Sequence, residues 1–165
     1  MKLSIAVATP PDAAAIAALR NRVAERLTRD FGQGHWSGMV TEKGVLRGIT
    51  TSRVLVARHG RSVVGTLLLA TRKPWAIDPT YFLKVQRPLY LLDMAVEPDQ
   101  QRRGIGRRLI EEAIVIAKAW PAESMRLDVY DAEAGAVEFY ATCGFREAGR
   151  VSYRGVPLVY YEMLL

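Results

Sequence analysis

The sequence predicts a mixed α/β fold, with a mostly antiparallel central sheet, one β-α-β crossover and flanking helices. The chain has 165 residues, of which 50% are hydrophobic, so a single domain over residues 1–165 buries a sizeable core. Segments with strand and helix periodicity follow one another in the order β-α-(α)-β-β-β-α-β-α-β-β. Hairpins on both sides of one strand–helix–strand crossover exclude a doubly wound parallel sheet.

The first elements are a strand and two helices. Lys2–Thr9 alternates loosely between apolar and polar residues, which predicts a strand. Thr9-Pro10-Pro11-Asp12 predicts a helix start, because threonine caps, proline is tolerated in the first turn and aspartate complements the dipole. One face of this helix is apolar at four positions: Ile16, Leu19, Val23 and Leu27. Met39–Ile49 predicts a second, short helix.

A hairpin and a long loop come next. Arg53–Arg58 and Val63–Ala70 are strand-like and are joined by a turn at His59–Ser62. Arg72–Arg87 mixes aromatic residues with prolines and charges, so it predicts a loop with one helical turn. Loops of this length in compact domains are often functional.

The crossover follows this loop. Pro88–Val96 predicts a strand, and the helix after it begins near Gly104 and is stopped by Pro121. Met125–Tyr130 predicts the next strand.

The last segment predicts a helix and a hairpin. Ala132–Thr142 predicts the helix, with Gly144 as its C-terminal cap. Phe145–Ser152 and Val156–Leu165 predict two strands. The second of these is strongly apolar for an edge strand, and exposed edges tend to be covered, so a homodimer is expected.

Composition narrows the partners and the location. The net charge of +6 favours an anionic partner. Cys143 is the sole cysteine of the sequence, which excludes an intrachain disulfide, and it shares no metal-ligand spacing with His35 or His59. We therefore expect no metal. Met1–Leu19 lacks the apolar run of a secretory signal and no stretch is long enough for a membrane span, so a cytoplasmic location is expected.

The stretch Asp99–Ile114, DQQRRGIGRRLIEEAI, predicts an anion site between a strand and a helix. Gly104 and Gly106 permit backbone angles closed to other residues and let a ligand approach the main chain. The free N–H groups of a first helical turn point outward there. Four arginines add positive charge, and a pyrophosphate fits such a nest: Arg102, Arg103, Arg107 and Arg108.

Two common phosphate-binding motifs fit this stretch poorly. The chain has no GxxxxGK[ST] run, so a Walker P-loop is excluded. Gly104-Ile105-Gly106 begins a dinucleotide fingerprint, but Leu109 stands where the third glycine permits close helix–strand packing. Asp128 lies at about the distance of a ribose-binding acid, yet one crossover does not supply the paired βαβ halves of a Rossmann fold.

The motifs here resemble those of the GCN5-related N-acetyltransferase (GNAT) superfamily. The segment from Gln101 to Gly106 matches the Q/R-x-x-G-x-G/A signature, and the match extends upstream over Leu92–Pro98. Downstream residues follow the family's L-x-V…N-x-x-A…Y…GF pattern: Leu127-Asp128-Val129, Ala136, Phe139-Tyr140 and Gly144-Phe145. The resemblance is specific over residues 88–147 and weak before residue 50. It implies a GNAT-like acyl-CoA N-acyltransferase fold.

The resemblance implies acetyl-CoA as co-substrate. In such enzymes the strand before the signature splays from the next parallel strand, the pantetheine arm pairs with main chain in the gap, and the pyrophosphate rests on amides of the signature. The implied cofactor-binding residues are Met94, Ala95, Val96, Gln101, Arg102, Arg103, Gly104, Ile105, Gly106, Arg107 and Glu133. Glu133 stands where the family has asparagine, and an ionised glutamate only accepts hydrogen bonds. It is therefore either a cofactor contact or a helix N-terminal cap.

Tyr140 and Asp93 are the candidate catalytic residues. Tyr140 occupies the position that resembles the family's general acid, although a packed helix tyrosine also fits the pattern. An attacking amine must lose a proton, and Asp93 and Glu97 are candidate bases on or beside the central strand. The two share one face of the strand unless a bulge intervenes. Asp93 is costly to bury unpaired, so we expect a partner or an opening to the site.

The family implies transfer of an acetyl group from acetyl-CoA to a primary amine, by direct attack in a ternary complex. The acceptor is a small-molecule or protein amine, with His35-Trp36 and Trp75–Tyr81 as candidate lining, and the many basic residues of 29–87 disfavour a polyamine. A non-catalytic acyl-CoA sensor is the alternative. Nucleic-acid binding through the arginines is a third, without a base-reading motif to support it. Cys143 has no adjacent base, so a nucleophilic role is not expected.

Overall fold

The computed structural model describes residues 2–165, and within this range seven strands are hydrogen-bonded in the order β1-β2-β3-β4-β5-β7-β6. The register pairs β4 with β5 in parallel and β1/β2, β2/β3, β5/β7 and β6/β7 antiparallel. This mixed, mostly antiparallel sheet with helices confirms the predicted fold class. The strands are Leu3–Val7 (β1), Arg53–His59 (β2), Ser62–Ala70 (β3), Pro88–Val96 (β4), Ser124–Tyr130 (β5), Arg146–Tyr153 (β6) and Val156–Leu164 (β7). The α-helices are Ala13–Phe31 (α1), Glu42–Thr51 (α2), Ile105–Ala119 (α3) and Val137–Thr142 (α4).

The chain forms two compact units. The first unit contains residues 2–70 and Leu92–Ala113, and the second contains Thr71–Leu91 and Ile114–Leu165. Both β4 and α3 are divided between them, so the units are not sequential halves of the chain. The single domain predicted over residues 1–165 stays a prediction.

The first unit contains β1–β3, α1 and α2, whose apolar faces form one core. Buried residues from both helices meet buried residues of β2: Ala13, Ile16, Ala17, Val45, Val54 and Val56. At the start of α1 the Asp12 carboxylate accepts a hydrogen bond from the Thr9 amide at 2.8 Å. Thr9 is the N-cap residue of the 3-10 turn Pro10–Asp12 that leads into α1, as predicted, but its hydroxyl donates to Asp12 instead of accepting a cap hydrogen bond.

Helix α2 begins three residues after its predicted start. The Thr41 Oγ1 accepts a hydrogen bond from the Gly44 amide at 3.0 Å, which caps the helix and places its first residue at Glu42. Ser52 follows the last helical residue and leads directly into β2.

Helix α3 packs closely on β3 at a glycine. A Cβ built on Gly65 would lie 2.8 Å from Leu109 Cδ1 and 3.1 Å from Ile105 Cγ2. Leu109 is fully buried there. The close approach that a helix glycine gives in dinucleotide-binding folds is therefore provided here by a glycine on the strand, opposite a leucine on the helix.

In the second unit the apolar C-terminal strand is not an edge. Strand β7 pairs with β5 along Leu158–Leu164 and with β6 along Val156–Glu162. The predicted edge position is therefore wrong, and β6 takes that place. All residues of β6 are exposed or half-buried, as in an edge strand with a solvated face. The expectation of a homodimer, which depended on an apolar edge, loses that support.

The helix predicted over Ala132–Thr142 is shorter than expected. Residues 131–136 form turns, and α4 contains only Val137–Thr142. Gly135 explains the delay, because a Cβ on it would lie 1.9 Å from the Tyr130 carbonyl oxygen and its amide donates to the Ala132 carbonyl at 2.8 Å. The chain therefore turns tightly before it can enter a helix. Gly144, at φ 96°, ends α4 as predicted.

The loop over residues 71–87 contains one helical turn, at Pro79–Tyr81, as predicted. Strands β5 and β7 fix it through buried polar side chains. The Tyr160 hydroxyl accepts a hydrogen bond from the Asp78 amide at 3.1 Å and donates to the Ala76 carbonyl. The guanidinium of Arg126 donates to the Leu83 carbonyl at 2.7 Å. These bonds order the loop.

Candidate functional site

The segment Gln101–Gly104 forms a concave turn at the start of α3. Arg102 and Gly104 have left-handed backbones, with φ of 64° and 84°. The Arg108 amide donates to the Gly104 carbonyl at 3.0 Å, which closes the first turn of the helix. The first amides of an α-helix generally point outward from its N-terminus, and the positive end of the helix dipole lies behind them. This arrangement suits an anion.

The residues around this turn fit a diphosphate. A Cβ built on Gly104 meets no atom within 4 Å, so the space over the turn is open. The guanidinium-bearing residues predicted for the site are exposed: Arg102, Arg103, Arg107 and Arg108. Gln101 has a structural contact, because its Nε2 donates to the Val96 carbonyl at 3.1 Å and ties the turn to the end of β4.

The end of β4 has an irregular backbone. Asp93 is left-handed, at φ 55°, which is uncommon for a residue other than glycine. The parallel register with β5 covers Pro88–Tyr90 and stops before this point. Met94, Ala95 and Val96 follow the irregularity and lead through Glu97 to the turn, all within the first unit. The regular alternation that would place Asp93 and Glu97 on one face therefore does not hold.

Asp93 has both a partner and an opening. Its Oδ1 lies 3.2 Å from Arg20 Nη2 of α1, and 41% of its side chain is exposed. Asp93 also lines a cavity of about 240 Å³ in the first unit, between α1, α2 and the β2–β3 hairpin. Of the candidate acid and base residues in the described chain, Asp93 is the one that lines this cavity.

Glu97 has a different position. Arg22 binds its carboxylate through two nitrogens, with Nη2–Oε2 and Nε–Oε2 distances of 2.6 and 3.0 Å. The next acid, Asp99, lies 3.8 Å from Arg26 of α1. Helix α1 thus anchors the segment that leads into the anion-binding turn. Glu97 is thus held by Arg22 and does not line the cavity, whereas Asp93 does; the roles of both carboxylates stay predictions.

Tyr140 is buried in the second unit. Only 7% of its surface is exposed, and its ring packs against Phe139, Phe145 and Tyr161, at centroid distances of 5.2, 5.8 and 6.2 Å. Burial raises the pKa of the Tyr140 phenol, and the nearby Cys143 and Asp128 raise it further. The phenol therefore stays protonated at neutral pH, as a proton donor must.

Glu133 and Cys143 lie on either side of α4. Glu133 is exposed in the turn before the helix, four residues ahead of Val137, so its predicted role as the N-terminal cap is wrong. The acidic residue of the first helical turn is Glu138. Cys143 is half-buried and has no disulfide, and its amide donates to the carbonyls of Phe139 and Tyr140 at 3.1 Å.

The cavity beside Asp93 has a lining that the sequence analysis missed. Helix α2 contains no catalytic motif, so the sequence did not indicate that its residues line a site. Five of the lining residues come from this helix: Gly44, Val45, Arg47, Gly48 and Thr51. Trp36, which was expected to line the acceptor site, instead folds back over Gly34, and its Nε1 donates a hydrogen bond to the Gly32 carbonyl at 2.9 Å. In the second unit, Tyr81 packs edge-on against Tyr160 with centroids 5.5 Å apart, whereas Trp75 is exposed.

Among residues 2–165, no group of three or more histidine, cysteine or acidic side chains is arranged to hold a metal ion. Over the same part of the chain, no helix has the length and apolar character needed to cross a membrane. The cytoplasmic location stays a prediction.

A family model described as "Acetyltransferase (GNAT) family" matches residues 20–145, which is most of the chain. The chain belongs to the GNAT family. This confirms the resemblance found in the motifs of residues 88–147 and extends it into α1, where the sequence motifs are weak.

Solved GNAT structures share this fold at low identity. An N-acetyltransferase from Staphylococcus aureus Mu50 has a TM-score of 0.76 and 20% identity, with 99% of each chain covered. The PaiA N-acetyltransferase of Thermoplasma acidophilum, solved in complex with coenzyme A, has a TM-score of 0.75 and 16% identity, with 100% of each chain covered. At this identity the likeness shows the fold alone.

A curated relative matches over a shorter stretch. The ribosomal protein bS18-alanine N-acetyltransferase of Salmonella typhimurium is 40% identical over 58 residues, which is 35% of this chain. The match spans only 39% of that relative's length.

Proposed function

We propose that the chain transfers an acetyl group from acetyl-CoA to a primary amine by direct attack in a ternary complex. The observation that carries the proposal is the turn at Gln101–Gly104, where two left-handed residues precede the open N-terminus of α3. The GNAT family match supports this activity. The PaiA structure, which holds coenzyme A in the same fold, supports the cofactor.

The binding roles follow from the main chain of the first unit. Acetyl-CoA supplies an activated thioester, so that an amine nitrogen forms a bond to the carbonyl carbon as the carbon–sulfur bond breaks. The amides of residues 102–107 hold the diphosphate, assisted by the exposed arginines. The main chain of Met94, Ala95 and Val96 pairs with the pantetheine arm. Glu133, exposed and acceptor-only when ionised, is the weakest member of the predicted cofactor set.

Two side chains handle protons in this proposal. Tyr140 donates its phenolic proton to the leaving thiolate, and its raised pKa keeps that proton in place until the step. Asp93 accepts a hydrogen bond from the acceptor amine and passes the amine's proton toward solvent, to which its side chain is 41% open. Arg20 is a positioning residue, because it holds one oxygen of Asp93.

Calorimetry and a thiol-release screen test the proposal together. Acetyl-CoA should bind the purified chain, and at least one amine should release free thiol above the rate of hydrolysis. The panel should include a peptide with an N-terminal alanine, since that is the acceptor in the name of the Salmonella relative. Binding without turnover on any amine would favour the acyl-CoA sensor. If calorimetry with millimolar acetyl-CoA registers no heat, both the transferase and the acyl-CoA sensor are excluded.

A further inference from the structure

The cavity beside Asp93 is a small amphipathic chamber in the first unit. Its volume is about 240 Å³, which is enough for a small organic molecule of the size of an amino acid. The apolar part of the wall comes from α1, α2 and the β2–β3 hairpin: Ile16, Val45, Val54, Leu67 and Leu68. A short apolar body therefore fits its interior.

The charged part of the wall has more positive than negative groups. Arg20 and Arg47 face one carboxylate, that of Asp93. Arg20 and Asp93 form an ion pair, but a carboxylate accepts several hydrogen bonds, so Asp93 retains capacity for an ammonium group. Within residues 2–165, Arg47, which projects from α2, forms no ion pair. The guanidinium of Arg47 therefore has no counter-ion from the protein and can pair with an anionic group of a bound molecule.

We infer that this cavity is the acceptor subsite and that it takes an amino acid with a short apolar side chain. The amine lies at Asp93, the carboxylate lies at Arg47, and the apolar side chain fills the space over Val45 and Leu68. The inference rests on the proposed acetyl transfer. It excludes polyamines, whose second ammonium would meet Arg47, and it disfavours peptide N-termini, which carry an amide in place of the carboxylate.

Three matched probes test the carboxylate contact: L-leucine, L-leucinamide and 1,4-diaminobutane. With acetyl-CoA saturating, we expect kcat/KM to be at least about tenfold higher for leucine than for leucinamide, as the loss of a charge-assisted hydrogen bond implies. We expect Arg47→Gln to raise KM for leucine about tenfold or more while leaving KM for leucinamide and the Kd of acetyl-CoA unchanged. Equal activity on all three probes overturns the inference.

Lys43→Gln is the matched control, because Lys43 lies exposed on the same helix and does not line the cavity. It removes one positive charge from α2 and should change neither KM. If Lys43→Gln and Arg47→Gln have equal effects, the leucine preference reflects the general field of the helix, and the subsite assignment is wrong.

Binding measured without turnover separates this inference from the proposed function. Leucine should bind the complex with coenzyme A in calorimetry, and Arg47→Gln should weaken that binding about tenfold. If acetyl-CoA binds and another amine is acetylated while leucine neither binds nor reacts, only the subsite is wrong. If leucine binds but no probe is acetylated, the subsite stands and the transfer reaction fails.

Discussion

Asp93 and Arg20 form an ion pair across the first unit, with 3.2 Å between Oδ1 and Nη2, and the Asp93 backbone is left-handed. In a regular strand the side chains would alternate between the two faces of the sheet. At Asp93 the irregular backbone breaks this alternation, and the carboxylate lies toward α1 and the cavity. The position thus requires a side chain that accepts hydrogen bonds and tolerates positive φ, two conditions that aspartate and asparagine both meet.

Asp93→Asn separates the charge from the geometry. The substitution keeps the size and the left-handed backbone but removes the negative charge, so we expect kcat/KM for the amine to fall about 10- to 100-fold. The Kd of acetyl-CoA should not change. Steady-state thiol release and calorimetry measure the two quantities. Asp30→Asn, which removes the Arg26 ion pair of α1 outside the cavity, is the control; an equal loss in both variants would contradict a role for Asp93.

Tyr140→Phe tests the proton donor. Removing the hydroxyl should lower kcat about 100-fold or more, because general acid catalysis contributes on that order, while acetyl-CoA still binds. Tyr161→Phe is a matched control, since Tyr161 is also buried and its ring lies 6.2 Å from that of Tyr140. A pure sensor has no rate to lose, and a Tyr140→Phe variant with unchanged kcat assigns the residue to packing alone.

The pH dependence of the rate follows from the direction of the Tyr140 shift. Burial raises the pKa of the phenol above its ordinary value of about 10, and Cys143 and Asp128 add to the effect. A general acid acts in its protonated form, so activity due to Tyr140 persists below the raised pKa and is lost only as the pH rises through it. We expect no alkaline loss of kcat assignable to this residue below about pH 10. A loss near neutral pH that disappears in Tyr140→Phe would contradict this assignment.

Gly104→Ala tests the anion-binding turn. Its positive φ disfavours a side chain by about 1–2 kcal/mol, although a Cβ would meet no atom within 4 Å. Gly155→Ala is a matched control in the β6–β7 turn, with φ of 81° and the same open space. Both variants should lower Tm by about 2–8 °C. Only Gly104→Ala should weaken acetyl-CoA binding, by about tenfold or more, because only that turn aims amides at the ligand. Equal Kd values in the two variants would contradict binding of acetyl-CoA at the anion-binding turn.

Local signals in the sequence predicted most of the fold. Strand β4 has the predicted bounds, and α3 has its predicted start, because alternation, glycine and proline are local features. The position of β7 depends on which strands pair, and periodicity does not encode pairing. The length of α4 depends on the contact of Gly135 with the Tyr130 carbonyl, which exists only after the chain has turned.

One part of the candidate site could likewise be predicted from the sequence, and the other part could not. The anion-binding turn could be predicted because its glycines and arginines are consecutive in the sequence. The cavity could not, because its charged residues come from α1, α2 and β4, and nothing in the spacing of Arg20, Arg47 and Asp93 relates them. The left-handed backbone of Asp93 was equally hidden, since aspartate in an apolar strand gives no sign of it.

Gly65 and Leu109 form the contact that sets α3 against the sheet, and a double-mutant cycle measures it. Gly65→Ala places a methyl group 2.8 Å from the Cδ1 of the fully buried Leu109, so the leucine side chain must shift, and we expect a loss of about 1–3 kcal/mol in the free energy of unfolding. Leu109→Ala alone leaves a cavity and should cost about 2–5 kcal/mol. In the double variant the methyl group added by Gly65→Ala occupies part of that cavity, so the combined loss should fall short of the sum by more than about 0.5 kcal/mol.

Ile16→Ala with Gly65→Ala is the control cycle, since Ile16 is buried in the same unit but supplies none of the three atoms nearest to the added methyl. Its effects should add within about 0.5 kcal/mol. The methyl group added by Gly65→Ala also lies 3.1 Å from Ile105, the residue that follows Gly104. The substitution is therefore expected to disturb the anion-binding turn as well as Leu109. Gly65→Ala should therefore raise the Kd of acetyl-CoA, and Leu109→Ala in the same chain should partly restore it. An unchanged Kd in Gly65→Ala would mean that the turn holds its shape independently of how α3 is seated on β3.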